Sequence, residues 1–261
     1  MPASINCNSF TWHELLAIDT DKAVRFYGAV VGYGTMPWPD PTMKYTVLTM
    51  GGTGVAGLMA LPQAARDMGA PAHWMGTIEV DDVAATIAKA KDLGATIHMG
   101  PVDLPRFGTY AVLADPAGAV FSVMASLSPA TERPDTTQPG RVSWNELWST
   151  DPETAWNFYQ ALFGWTERGT MDMGPAGTYR LYGRPGDANS LGGMAKAMPQ
   201  MPASAWLYYL TVPDIDHAAT RIRESGGTVV HGPEDIRGGG RTLQACDDQG
   251  AMFAVYSHAA G

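Results

Sequence analysis

The chain repeats itself at long range, and this constrains its fold more than any other feature. The segment that starts at Trp12, WHELLAIDTDKAVRFYGAVVGY, returns at Trp144 as WNELWSTDPETAWNFYQALFGW, 132 residues later. The same spacing still relates Asp115 to Asp247 near the ends of the two copies. A register held over such a distance indicates the duplication of one structural unit.

The segment between the copies has the composition of a linker. It reads SPATERPDTTQPGR, with prolines, threonines and charges but no apolar periodicity. We therefore predict a first unit at residues 10–128, a linker at residues 129–140 and a second unit at residues 141–258. A chain of 261 residues is long enough for two units of this size, each with its own core.

Each copy contains two smaller modules that begin alike, with a strand, an acidic cap, a helix and a glycine. In the first module, residues 11–18 have the pattern of a strand, and Asp19 or Thr20 can cap the helix that follows. Gly32 suits the left-handed residue beyond the helix end. Three short β-type runs with glycine turns follow each helix. The sequence predicts an α+β fold with four βαβββ modules.

This pattern resembles the vicinal oxygen chelate superfamily, which holds the glyoxalase, bleomycin-resistance and extradiol-dioxygenase families. The pairs FY at 26–27 and GY at 32–33 are similar to its opening motif, and DPAG at 115–118 is similar to the turn before its last strand. Trp-x-Glu-Leu at both starts is similar to tandem glyoxalase-like bacterial proteins that often bear the name hydroxylase. The resemblance implies two tandem units, each of two paired βαβββ modules that form a cupped sheet.

The same resemblance allows a metal site to be tested. Metal enzymes of the superfamily place His or Gln at the start of a module and Glu in its last strand. The matching positions of this chain carry other residues: Trp12, Trp144, Met75, Leu207, Ser122 and Ala254. None of these side chains is a usual ligand of a divalent ion. We therefore expect no metal and no other cofactor.

His13 lies one residue from a ligand position. A shift of one residue in a strand turns a side chain to the opposite face, so we predict a structural histidine. A bulge that rotated His13 inward would make it a ligand instead.

Successive side chains of a strand point to opposite faces, so the first strand of each copy brings acidic and aromatic side chains to one face. That face carries Trp12, Glu14 and Leu16 in one copy and Trp144, Glu146 and Trp148 in the other. The resemblance implies that it looks into the sheet cavity. A carboxylate buried there would have a raised pKa, so Glu14 and Glu146 are the candidate catalytic acid/base residues. Alternatively, they bind backbone N–H groups or pair with Arg106 or Arg241.

Further strands supply a lining that is apolar with a few hydroxyls, drawn from Met75, Thr77, Ser122, Met124, Leu207, Tyr209, Ala254 and Tyr256. The candidate ligand-binding residues are Trp12, Met75, Thr77, Ser122, Met124, Trp144, Trp148, Tyr209 and Tyr256. Such a lining favours a flat or greasy organic ligand over a compact anion.

Charge and composition exclude several partners. The formal net charge of −9 disfavours nucleic acid and anionic membrane surfaces. Two cysteines offer no disulfide framework, and no targeting segment or membrane-spanning run is visible, so we expect a cytoplasmic protein. A homodimer is one assembly that the sequence allows.

Two functions of different classes follow. The first is a metal-free glyoxalase-like enzyme acting on a small hydrophobic or polyketide-like molecule, with Glu14 or Glu146 as acid/base. The second is a non-catalytic protein that binds a drug or metabolite and so confers resistance. A metal-dependent lyase or dioxygenase is the third candidate.

Overall fold

A computed structural model describes residues 6–38, 43–129, 132, 134–198, 201, 203–237 and 239–259. Within these ranges, the order strand, helix and three strands recurs four times, as the sequence predicts. The described part of the chain contains no helix with the length and apolar character needed to cross a membrane.

The first copy contains two modules joined by a short helix. The first module comprises β1 (Phe10–Ala17), α1 (Thr20–Val30), β2 (Gly34–Pro37), β3 (Tyr45–Met50) and β4 (Thr53–Ala60). The short helix is α2 (Gln63–Asp67). The second module comprises β5 (His73–Glu79), α3 (Val83–Asp92), β6 (Thr96–Leu104), β7 (Gly108–Ala114) and β8 (Val120–Ser126).

The second copy repeats this plan. Its first module comprises β9 (Val142–Ser149), α4 (Pro152–Phe163), β10 (Thr166–Asp172), β11 (Thr178–Gly183) and β12 (Gly192–Lys196). Its second module comprises β13 (Ala205–Thr211), α5 (Ile215–Glu224), β14 (Thr228–Asp235), β15 (Arg241–Cys246) and β16 (Met252–Ser257).

Each copy forms one eight-stranded mixed sheet. The strand orders are β2-β3-β4-β1-β5-β8-β7-β6 and β10-β11-β12-β9-β13-β16-β15-β14, so the two sheets have the same topology. Strand β1 runs parallel to β4 and β5 runs parallel to β8, while the outer strands pair antiparallel. The predicted α+β fold, with two tandem units of paired βαβββ modules, is confirmed.

Aspartates begin the four main helices for a local physical reason. Asp19 and Asp82 each accept a hydrogen bond from a backbone N–H three residues ahead, and Asp151 does the same at α4. A capping carboxylate satisfies N–H groups that the first turn leaves without a helical partner. Gly32 follows α1 with φ of 89°, a left-handed conformation that a side chain would strain. The predicted cap at Asp19 is confirmed.

Contacts divide the chain into two compact units that differ from the two sequence copies. One unit contains residues up to Thr11, Gly76–Pro134 and Trp144–Trp206. The other contains Trp12–Met75, Asp135–Ser143 and the described residues from Leu207 onward. Each compact unit therefore draws elements from both copies. The sequence boundaries 10–128, 129–140 and 141–258 stay a prediction.

A buried chain of indole, phenol and carboxylate groups lies in the core of each compact unit. In one unit, Trp74 Nε1 donates to Tyr27 Oη over 2.8 Å, and Tyr27 donates to Asp247 over 3.2 Å. In the other, Trp206 Nε1 donates to Tyr159 Oη over 3.0 Å, and the Tyr159 hydroxyl lies beside the Asp115 carboxylate. Tyr27 and Tyr159 are the second residues of the two FY pairs, so this part of the repeat serves the core.

Burial raises the pKa of both aspartates at the ends of these chains. Backbone N–H groups oppose the effect, because Asp115 accepts hydrogen bonds from Ala117 and Ala119, and Asp247 accepts one from Ala251. The balance still leaves both pKa values above the ordinary aspartate value. The two carboxyl groups therefore favour their protonated form more strongly in the folded protein than in the unfolded chain.

We predict that these aspartates make the protein more stable as the pH falls toward the ordinary carboxyl pKa of about 3.9. Folded pKa values above the unfolded ones mean that the folded state binds more protons, so this contribution is lost as pH rises through the folded values. Each proton contributes a slope of up to about 1.4 kcal/mol per pH unit. Urea unfolding of wild type and of the double variant Asp115→Asn, Asp247→Asn measures it. Parallel pH profiles for the two proteins would contradict the prediction.

The linker is exposed over part of its predicted length. Residues 134–138 are exposed, whereas Gly140 is buried and its carbonyl accepts a hydrogen bond from Tyr33 Oη over 2.5 Å. A linker of this composition is expected to be exposed throughout 129–140, and that expectation is wrong at Gly140, whose backbone is buried and hydrogen-bonded. Residues 130, 131 and 133 of the linker lie outside the described residues.

We predict that limited proteolysis cuts first within residues 134–138 and that the two fragments stay together. Each compact unit contains strands of both copies, so a cut in this segment leaves the packed cores intact. Size-exclusion chromatography of the nicked protein should show one peak, which splits only in denaturant. Native separation of the fragments, or faster cleavage inside residues 12–125, would contradict it.

Candidate functional site

A tryptophan, a tyrosine and a glutamate form one hydrogen-bonded cluster in the first copy. Trp12 Nε1 donates to Tyr45 Oη over 2.7 Å, and the Tyr45 hydroxyl is bonded to the Glu14 carboxylate. Burial raises the pKa of Tyr45 well above its usual value, and the charge and hydrogen bond of Glu14 raise it further. The phenol therefore stays protonated. We call Trp12, Glu14 and Tyr45 the first cluster.

The second copy builds the same arrangement, and a second indole takes part in it. Trp144 Nε1 donates to Tyr179 Oη over 2.9 Å, and Tyr179 donates to Glu146 Oε1 over 2.6 Å. Trp148 Nε1 donates to the other carboxylate oxygen, Oε2, over 2.7 Å. We call Trp144, Glu146, Trp148 and Tyr179 the second cluster.

A glycine on the neighbouring strand makes room for each tyrosine. Gly57 of β4 pairs with Glu14, and Gly193 of β12 pairs with Glu146. A Cβ atom on either glycine would overlap the hydroxyl of Tyr45 or Tyr179. The absence of a side chain lets the phenol lie across the strand and reach the carboxylate.

Both glutamates are buried, as the alternation of the strand predicts. Glu14 is 6% exposed and Glu146 is 4% exposed, each on the same strand face as a tryptophan. Of the two arginines proposed as alternative partners, Arg241 instead contacts Asp216 and Asp235. Hydrogen bonds from phenol and indole, rather than an ion pair with Arg241, satisfy the buried carboxylates. The predicted burial is confirmed, and the catalytic role stays a prediction.

The candidate residues of β5 and β8 form a separate, internally bonded set. The hydroxyls of Thr77 and Ser122 lie 2.7 Å apart on paired residues, and Ser122 also donates to the carbonyl of Gly76 over 3.2 Å. Met75 is buried, and Met124 is half-buried. The hydroxyls that the sequence predicts as ligand contacts therefore bond to each other and to backbone.

Glu79 is a buried carboxylate that the sequence analysis missed. Its two oxygens accept hydrogen bonds from the backbone N–H and the hydroxyl of Ser126, over 3.0 and 2.7 Å. These two hydrogen bonds satisfy both oxygens of the buried carboxylate, so we assign Glu79 a structural role.

The candidate residues of β13 and β16 lie on adjacent parallel strands. Tyr209 is buried opposite Ala254, and its hydroxyl accepts a hydrogen bond from Gln244 Nε2 over 3.2 Å. Tyr256 is half-buried, and its ring packs edge-on against His258 with 4.9 Å between ring centroids. Gln244 is a polar neighbour that sequence reasoning did not identify.

His13 points away from the first cluster. It is buried, and its ring packs edge-on against Tyr208 with 4.8 Å between ring centroids. Glu14, its neighbour in β1, bonds to Tyr45 on the other face of the strand. This is the orientation predicted for a structural histidine.

The residues at the superfamily's metal positions do not fit a divalent ion. The Trp12 and Trp144 indoles are engaged as donors to tyrosines, and Ser122 bonds to Thr77. An indole N–H offers no lone pair to a metal. Among the described residues, no group of three or more His, Cys, Asp and Glu side chains is arranged to hold an ion.

A cleft of about 180 Å³ lies elsewhere in the second copy, between the start of α4 and strands β11 and β12. It is lined by Pro152, Glu153, Gly177, Thr178, Arg180, Met194 and Lys196. Met194 pairs with Leu147, which neighbours Glu146 in β9 and so points to the opposite face. The cleft is therefore distinct from the second cluster. Arg180 in it already pairs with Glu153 and Glu167 and lies over the Trp156 ring.

The sequence missed the two tyrosines because the repeat changes register between the helix and the later strands. Tyr45 corresponds to Tyr179, 134 residues later, and Gly57 corresponds to Gly193, 136 residues later, whereas the starts of the copies are 132 apart. Aligning the copies with small gaps would have matched both pairs and shown that a tyrosine and a glycine recur in this order in each copy.

The comparisons with known proteins agree with this geometry. The family model Glyoxalase/Bleomycin resistance protein/Dioxygenase superfamily matches residues 9–123 and again residues 141–255. The chain is 32% identical over 249 residues to "Putative glyoxylase CFP32" of Mycobacterium tuberculosis, covering 94% of this chain and 92% of the relative. It is 28% identical over 258 residues to "Anthracycline biosynthesis protein DauV" of Streptomyces sp. strain C5, covering 94% and 91%.

Among solved structures, the Mn(II)-bound glyoxalase from Novosphingobium aromaticivorans has the same fold, with a TM-score of 0.65 and 15% identity over 97% of this chain and 82% of that one. The family model covers both sequence copies, which is the arrangement that the two equivalent sheets display. The chain belongs to the glyoxalase/bleomycin resistance protein/dioxygenase superfamily.

Proposed function

We propose that this protein is a metal-free glyoxalase-like enzyme that acts on a small hydrophobic or polyketide-like organic molecule, with Glu14 and Glu146 as acid/base groups. One observation carries the proposal: each copy holds a buried carboxylate hydrogen-bonded to a half-buried tyrosine, on a strand face that also presents tryptophan. The arrangement occurs twice, at equivalent positions of the two sheets.

The chemistry that such a cluster supplies is proton transfer next to an aromatic surface. A carboxylate held by a phenol is oriented, and it can accept a proton from an acidic O–H or C–H group within hydrogen-bond reach. Trp12 and Trp144, which are half-buried, offer flat faces against which a ring system can stack. No step in this scheme requires a metal ion.

The name of one relative supports the substrate class. The relative from Streptomyces sp. strain C5 is named for anthracycline biosynthesis. Anthracyclines are fused-ring polyketides with hydroxyl and carbonyl groups, and such a molecule suits tryptophan faces beside a hydrogen-bonded carboxylate. We therefore take hydroxylated fused-ring molecules as the ligand class to test.

A non-catalytic binding protein is the second candidate, because the same features can hold a ligand without transforming it. The hydrogen bonds that Glu146 accepts from Tyr179 and Trp148 favour this alternative, because a carboxylate that is already hydrogen-bonded is a weaker base. Proton transfer to or from a bound ligand discriminates between the two candidates.

We predict that an anthracycline quenches the tryptophan fluorescence of the protein in a saturable manner, whereas inorganic phosphate has no effect. Trp12→Leu and Trp144→Leu remove stacking faces, each worth about 1 kcal/mol beyond area burial, and should weaken binding about fivefold or more. Trp156→Phe is the matched control, because Trp156 lies on the helix side beside Arg180. Equal affinity in all three variants would contradict the predicted site.

We predict that the bound anthracycline, or its ring system without the sugar, takes up solvent deuterium at an acidic position faster with the protein than without it. Glu14→Gln together with Glu146→Gln keeps the size of the side chains but removes the base, so the enhanced rate should fall about 10²-fold or more. Mass spectrometry of the recovered ligand gives the rate. Saturable binding with no protein-dependent exchange would instead establish the binding-protein alternative.

We predict that the purified, untagged protein contains no stoichiometric transition metal. Stable binding requires at least three N, O or S donors at about 2.0–2.3 Å, and the superfamily's ligand positions here carry tryptophan, methionine, leucine, serine and alanine. Inductively coupled plasma mass spectrometry measures the metal content directly. About one zinc, iron, nickel or manganese ion per unit, lost with activity on chelation, would restore the metal-dependent lyase or dioxygenase.

A further inference from the structure

We propose that the cleft in the second copy is a binding site for a small organic carboxylate with a short apolar tail. The site is separate from the acid/base clusters, and the proposed function does not use it. All of its lining residues belong to one compact unit, within the segment Trp144–Trp206. Its volume of about 180 Å³ is below the roughly 300–1,000 Å³ of pockets for drug-sized ligands, so it suits a molecule of few atoms.

Two neighbouring strands form one side of the cleft. Arg180 of β11 pairs with Met194 of β12. Thr178 lies two residues from Arg180, and Lys196 lies two residues from Met194. Side chains two residues apart in a strand share a face, so all four side chains lie on one face of this strand pair. The start of α4 forms the other side.

Arg180 is held in place by three other side chains. Its Nε donates to Glu167 and its Nη2 donates to Glu153, each over 2.9 Å. The guanidinium carbon lies 5.0 Å from the centre of the Trp156 ring. A guanidinium has five N–H donors, and Nη1 of Arg180 forms no hydrogen bond with any residue that the structure describes. A guanidinium that is already ordered can bind a carboxylate at little further cost in side-chain entropy.

Lys196 is the second cation that lines the cleft. Its ammonium group has no ion-pair partner within the described ranges of the chain. Glu153 is the acidic residue of the lining, and its side chain is 71% exposed, so water screens its charge. The lining therefore carries two cations and one well-solvated carboxylate, and this balance favours an anionic ligand.

The apolar part of the lining indicates what else the ligand contains. Met194 is buried at the strand side of the cleft, and Pro152 is half-buried at the helix side. A thioether adapts its shape to small aliphatic groups. An inorganic anion would leave these surfaces uncovered, whereas a carboxylate with a tail of about two to four carbons would cover them. The chemistry of the lining therefore fits a short organic carboxylate better than phosphate.

The first copy shows that the fold does not require these cations. Thr46 pairs with Leu58 at the ladder position where Arg180 pairs with Met194. The residue that corresponds to the cleft lysine in the first copy is Ala60. The two sheets nevertheless have the same strand order. Because the sheet forms without a cation at either position, both cations of the second copy are available for binding.

The test follows the methyl signal of Met194 by NMR, in the full-length protein labelled with carbon-13 at the methionine methyl groups. Met194→Leu assigns the signal by removing it. The probes are butyrate, butyramide and n-butylammonium, which are similar in size and differ in charge, each at constant ionic strength. We expect butyrate alone to shift the signal in a saturable manner, with a Kd on the order of 1 mM because so small a ligand makes few contacts. The signal of Met124, on β8, should not move.

Lys196→Gln is the decisive variant, because Lys196 is exposed and its loss breaks no ion pair, whereas a change at Arg180 would break two. It should weaken butyrate binding about tenfold, through the loss of a charge-assisted hydrogen bond. Lys196→Arg should retain binding. Lys91→Gln is the matched control, because it removes the same charge from α3, outside the cleft lining, and should leave the affinity unchanged.

Three results would overturn the proposal. The first is the absence of a saturable Met194 shift with butyrate. The second is an equal affinity for butyramide or n-butylammonium, since the site would then not select a carboxylate. The third is an equal affinity for butyrate in Lys196→Gln and in the wild-type protein. Inorganic phosphate that binds as tightly as butyrate would overturn the assignment to an organic ligand.

Discussion

Burying a glutamate on an apolar strand face costs free energy unless its oxygens are hydrogen-bonded, and both candidate sites are organised around meeting this requirement. A tyrosine on the second strand along meets it in each copy, by reaching across a glycine that offers no side chain to block it. The tryptophan at the start of the strand then donates to the same tyrosine oxygen. The glutamate, the glycine and the tyrosine lie on three adjacent strands. The carboxylate is therefore hydrogen-bonded only if all three strands keep their register.

The same chemistry recurs in the cores, where it has a different consequence. Trp74, Tyr27 and Asp247 form a chain of indole, phenol and carboxylate like that of the first cluster. In the core, the Asp247 carboxylate lies in a turn and also accepts hydrogen bonds from the backbone N–H groups of Gln249 and Ala251, so it stabilises that turn. In the clusters, the carboxylate lies on a strand face beside half-buried tryptophan. The two kinds of site contain the same chemical groups. What distinguishes the candidate sites is that their carboxylate lies on a strand face and not in a core turn.

The repeat and the alternation of its strands predicted the architecture, the caps and the burial of Glu14 and Glu146, because these depend on local spacing alone. The partners of the carboxylates were not predicted. Tyr45 and Tyr179 come from strands whose spacing differs between the copies by two residues, so an ungapped register conceals them. The composition of the compact units could not be predicted from the sequence either. They form through tertiary contacts between different copies, such as that of Phe26 with Phe253, and the periodicity of a sequence does not encode such contacts.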